Sequence, residues 1–210
     1  MNLRVLCVAL AGAITAACAT TPPPAATLTY AGQNCAAQPN LAAAQSLTPE
    51  RERASHAVNT PINTLTPCLT TAEGAASPYV VYALPADTDD KTFAVGAPLE
   101  IARIFAPRVE VLDAQGVVVR SFARDQYMYR GNAYSVVFRP RAGERYVMVT
   151  ADPQLVGQRY DSINISTSTT GTAAGGVYVS WTSGVDAAQS RAFSYEGAVS
   201  VTISDSDTDG

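Results

Sequence analysis

Cysteines, one histidine and a run of tyrosines beside arginines are the residues of this chain that could do more than pack. Cys18 stands directly after Thr15-Ala16-Ala17, behind Met1-Asn2-Leu3-Arg4 and an apolar run from Val5 to Ile14. One cation, an apolar core of roughly ten residues and small residues before the cut make a signal peptide over 1–17. Such a core is too short to span a bilayer, which takes about 20 residues. A thiol at that position is where a bacterial lipoprotein is cut and acylated, so Cys18 is the expected lipid acceptor. The alternative is ordinary signal-peptidase cleavage after Ala19, with Cys18 lost; Thr15 occupies a place where lipoproteins usually carry an aliphatic residue. Without an acidic residue after Cys18, the anchor is expected in the outer membrane, facing the periplasm.

Cys7 leaves with the leader, so Cys35 and Cys68 remain as an even pair. In an oxidising compartment such a pair is expected to form a disulfide. A zinc site is the poorer reading, because two distant thiols and a single histidine, His56, do not supply four ligands. No metal and no cofactor are implied.

Tyr127, Tyr129 and Tyr134 flank Arg130-Gly131-Asn132, and Trp181 ends a later strand-like run. Flat aromatic faces beside a forked guanidinium stack on sugar rings and bond their hydroxyls. Tyr127, Tyr129, Arg130 and Trp181 are therefore the candidate saccharide contacts. A structural reading stands beside this one: Tyr127 and Tyr129 share a face at period two, as core or rim residues of a sheet also do.

Catalysis has little to stand on. There is no Gly-x-Ser-x-Gly elbow, no phosphate-cradling glycine loop ahead of a helix, and no visible acid–base pair. The chain reads as non-enzymatic. A net charge of −4 argues against nucleic acid as a partner, since that needs a basic stripe.

The elements that would carry these residues follow from texture. The Pro/Thr/Ala stretch over 18–33 is expected to be an extended tether. Residues 34–75 read as a disulfide-stapled decoration, with Thr48-Pro49-Glu50 opening a short helix over 51–58 and His56 on it. From 76 to 204 short β-rich runs alternate with turn residues. They include 79–84, 92–95, 99–105, 108–113, 117–122, 134–139, 145–151, 177–182 and 198–204. This spacing predicts an all-β fold, an antiparallel β-sandwich of jelly-roll type. The Ser/Thr/Gly-rich stretch 162–176 has no apolar period and reads as a loop. Residues 205–210 read as a solvated acidic tail; they lack the glutamate that closes a calcium loop.

Tyr82-Ala83-Leu84-Pro85-Ala86, Ile104-Phe105-Ala106-Pro107-Arg108-Val109-Glu110-Val111-Leu112-Asp113, Tyr127-Met128-Tyr129 and Tyr146-Val147-Met148-Val149 are four stretches to compare with known families. Together they resemble the maltose operon periplasmic protein family. The run Ser194 to Val201 is similar to that family's closing strand. The resemblance covers 76–203 and implies an exported accessory protein of carbohydrate uptake, without catalytic activity. It transfers no ligand site. Within it, Pro107 is expected to start a strand with Val109 and Val111 inward, and Asp113 to open the next turn. Two kinds of partner are therefore expected: an oligosaccharide, or an outer-membrane or periplasmic protein on which the sandwich docks without a small ligand.

Overall fold

The structure, a computed structural model, describes residues 21–32 and 34–206. Cys18, the leader and residues 207–210 lie outside the described residues. Two β-sheets face one another. The first runs β1 (Gln45–Ser46), β4 (Ala76–Ala83), β11 (Tyr146–Ala151), β7 (Pro107–Leu112) and β8 (Val118–Ser121), with β3 (Cys68–Thr70) also against β4. The second runs β2 (Ser55–Ile62), β14 (Gly197–Asp205), β5 (Lys91–Pro98), β10 (Ala133–Phe138) and β9 (Met128–Arg130). A third, smaller sheet joins β12 (Arg159–Ala174), β13 (Val177–Ser194) and β6 (Arg103–Phe105). The fold is the expected all-β sandwich. Its pairings are antiparallel except β1 on β4 and β13 on β6.

Alternation explains the layers. Val109 and Val111 point inward from β7 while Arg108 and Glu110 point out, and Pro107 begins the strand as expected. Val147 and Val149, Phe93 and Val95, and Val199 and Val201 add the inward faces of β11, β5 and β14 to one core. Asp113 opens the next turn: its Oδ1 accepts the amides of Gln115 and Val117, and Gly116 takes φ +83°. The run Tyr79-Val80-Val81-Tyr82 in β4 does not alternate because it is buried on both faces. Its outer side, with Leu69, Leu112 and Met148, is covered by Leu41 and Ala44.

Several expectations give way. The helix over 51–58 does not form; Ser55–Ile62 is a strand along β14, with His56, Val58, Thr60 and Ile62 turned toward the body. Period two was present there, and Pro61 is tolerated because β2 is an edge strand. Residues 34–75 are thus no separate decoration, since β2 completes the second sheet. The disulfide between Cys35 and Cys68 is present and ties residue 36, bridged to Leu69, against β3.

The stretch 162–176 is not a loop: β12 and β13 form one continuous ladder from Arg159↔Ala192 to Ala174↔Val177. Its apolar period is missing because most of its described side chains are exposed on both faces. Of 99–105, only Arg103–Phe105 is strand. The 18–33 stretch is no free tether along its whole length, for Thr27 exchanges hydrogen bonds with Ser194 and accepts the Tyr195 amide. Tyr30 also packs on the Tyr195 ring. Asp205 is no solvated tail residue; it pairs with Lys91 at 2.8 Å.

Candidate functional site

The four candidate saccharide contacts do not converge. Tyr127 is 8% exposed, and its Oη accepts the Val109 amide at 2.7 Å. β8 stops at Ser121 opposite Glu110, so this tyrosine meets the amide that a longer strand would have met. Burial pushes the Tyr127 hydroxyl pKa up. Tyr129 is 39% exposed, but its ring stacks on Tyr160 with centroids 3.8 Å apart and tilts against Tyr134. Arg130 donates to the Ser135 carbonyl at 2.7 Å across the β9–β10 turn. Trp181 stands on β13 opposite Thr170, ten residues along the strand from Arg191, the partner of Tyr160. At strand rise that is about 33 Å from the tyrosine cluster. Tyr127, Tyr129, Tyr134, Tyr160 and Phe193 instead form an aromatic corner joining the second sheet to the base of the β12–β13 ribbon.

The groove with convergent polar groups lies elsewhere, on the outward side of β7. Two depressions of about 490 and 230 Å³ share Glu73 and Arg108. The larger has an apolar floor from Leu69, Val118 and Met148, and Glu110 and Thr150 on its wall. The smaller is walled by Phe122 and Tyr127 and rimmed by Arg124, Asp152 and Gln154. Arg108 reaches it because odd positions of β7 are buried, which sends the even ones outward.

Ion pairs hold the groove's charged groups in place. Arg108 lies 3.0 Å from Glu73 and 3.8 Å from Glu110. Its hydrogen bond holds the Glu73 carboxyl down to about 2, whereas burial raises Glu110 against the pull of the same guanidinium. Arg124 donates to both Asp152 oxygens at 2.8 and 3.2 Å and to Gln154 Oε1 at 2.7 Å. A carboxyl raised and another lowered is the split that acid–base pairs use. Here the Arg108 guanidinium lies between the two carboxylates and contacts both. The arrangement is suited to holding hydroxyl-rich ligands: forked donors, carboxylate and amide acceptors, and apolar walls.

Of the four saccharide candidates named from the sequence, Tyr127 alone lines this groove, and Arg108, Glu73, Asp152 and Gln154 were not among them. Arg124 had a signal in its closeness to Tyr127. Glu73 had none, because it comes from the turn after β3 and meets Arg108 only through the fold. Among the described residues no cluster of metal-ligating side chains occurs, and no helix is long and apolar enough to cross a membrane. No protein-family model, no curated protein and no solved structure matches the chain.

Proposed function

We propose that this is an exported accessory protein of carbohydrate uptake, of the maltose or maltodextrin type, anchored at Cys18 in the periplasm. It binds an oligosaccharide without cutting it. The groove around Arg108 and Arg124 is the observation that carries the ligand reading. Its combined size falls in the range of small-molecule sites, and its polar groups converge over an apolar floor. The Cys35–Cys68 disulfide favours an oxidising compartment. The docking of Thr27 on Ser194 favours a short anchor, for the nine steps from Cys18 to Thr27 span at most about 32 Å. The resemblance to the maltose operon family supplies the sugar class.

Calorimetric titration with malto-oligosaccharides tests the ligand. Binding that weakens at least about tenfold in Arg124→Met supports the reading, by loss of a charge-assisted contact. No heat with any glucan at millimolar concentration contradicts it. Labelled palmitate entering the wild type, and not Cys18→Ser, tests the anchor separately.

A second reading is a structural lipoprotein that docks on an envelope protein without a small ligand. The exposed β12–β13 ribbon favours it, and in-cell crosslinking that captures one envelope protein regardless of sugar would support it.

A further inference from the structure

The β12–β13 ribbon is far longer than the sandwich needs. Sixteen residues of β12 at strand rise make it about 54 Å long. The turn, Gly175-Gly176, has both residues at positive φ (60° and 83°), which holds a two-residue hairpin turn tightly. Its attachments gather at the base. There β13 pairs with β6 over Ala192–Ser194, Tyr160 stacks on Tyr129, and Arg191 donates to the Glu100 carbonyl and to Ser162. Beyond the base β12 has β13 as its sole strand neighbour among the described residues, and β13 over 177–188 has β12 alone.

A two-stranded ribbon standing by itself in water is marginally stable at best. Exposed strand edges also template pairing with other strands, and proteins block this with lysine, proline, bulges or inward charges. Over 162–185 none of those devices occurs: the segment contains no Asp, Glu, Lys, Arg or Pro, the charged Arg159, Asp161 and Asp186 fall outside it, and the ladder runs without a register shift. The tip is apolar as well, with Val177, Val179 and Trp181 exposed on one face and Tyr178 on the other.

We propose that the ribbon is an assembly element, and that the outer edge of β12 pairs antiparallel with the β12 edge of a second copy of this chain. Three observations choose that occupant. Among the described residues no strand pairs with the outer edge of β12, whereas β13 gives part of its edge to β6. A chain of net charge −4 meets its own copy with least repulsion along an uncharged segment. Antiparallel pairing of one edge with itself is two-fold symmetric, so each copy offers the same surface. The composition already bonds across strands, as Thr169 does with Thr182 (2.9 Å) and Ser168 with Ser183 (3.2 Å). The joined ribbons form a four-stranded sheet, which leaves behind the isolated two-stranded state that is marginal in water.

Sedimentation of the purified full chain over a wide concentration range tests this, beside Thr170→Lys/Thr172→Lys. Both positions are exposed, so the body folds in either case. The wild type is expected to be a reversible dimer, and the double variant to raise the dissociation constant at least about tenfold. A nitroxide on Ser168→Cys, also exposed on β12, is expected to give a short inter-copy distance in the wild-type background and none in the lysine variant. A wild type monomeric throughout, or a dimer that the lysines leave intact, overturns the proposal. So does monomeric insertion of the tip into phospholipid vesicles. Loss of sugar binding would leave the dimer untouched, since the groove lies on the outward side of β7.

Discussion

The Val109 amide donates to Tyr127 Oη at 2.7 Å, and this bond marks where the edge strand β8 ends and a side chain takes over its pairing. Replacing Tyr127 by Phe keeps the ring packed on Tyr134 and leaves a buried amide without a partner. The expected loss is about 1–3 kcal/mol, the cost of an unsatisfied buried donor. Urea unfolding measures it, and sugar affinity should change far less than stability does.

Cys35 and Cys68 are 33 residues apart and close a loop that pins residue 36 to β3. The double alanine variant is expected to lose about 2–4 kcal/mol, through a less restricted unfolded chain. For a chain of this size, each kcal/mol lowers Tm by about 2–4 °C. Thermal scans of the variant, and of the reduced wild type, check this value.

Much of the sandwich was legible because its strands are half-buried. Val109 and Val111 in β7 alternate cleanly with charged neighbours, and the Asp113 to Gly116 turn carries its own chemistry. Of the ribbon only 177–182 was legible as strand; the rest was not for the converse reason, since with both faces in water no period is imposed on Ser, Thr and Gly. Helix-start residues Thr48-Pro49-Glu50 misled because β14 offered β2 a sheet edge, and tertiary pairing outweighs a local cap. The groove was hidden for a third reason. Glu73, Arg108, Arg124 and Asp152 come from separate turns and strands, and only the sandwich brings them together.

Arg120 and Glu144 lie 2.6 Å apart with little exposure, and the guanidinium also rests on the Phe122 and Phe138 rings. Burial lowers the Arg120 pKa despite the carboxylate. Glu144→Ala leaves that cation without its ion-pair partner and frees the Arg141 amide. A loss of about 3–5 kcal/mol is expected, as for other broken buried pairs. Chemical denaturation measures it, and Glu144→Gln should recover part of the loss through the Arg141 contact.

Acid and alkali should act at separate places. Glu73 is held from its usual 4.5 down to about 2, so its contribution is present above pH 4.5 and fades as pH falls through 2. The pair is half-exposed, which limits the effect of Glu73→Gln to less than about 1 kcal/mol. Glu110, raised by burial, works in the opposite direction. Tyr82 is pushed up to about 12 by burial and Tyr127 is also raised. Their unfolded hydroxyls ionise near pH 10, so stability should fall as pH rises beyond that point. Absorbance of tyrosinate during alkaline titration should show a late, cooperative step that coincides with unfolding.

Backbone amide spectra recorded while malto-oligosaccharide is added test the central claim most directly. The account predicts saturable shifts at Arg108, Phe122 to Tyr127 and Asp152 to Gln154, with Trp181 unmoved about 33 Å from the tyrosine corner. Spectra unchanged at millimolar sugar, or shifts confined to the ribbon around Trp181, would contradict it.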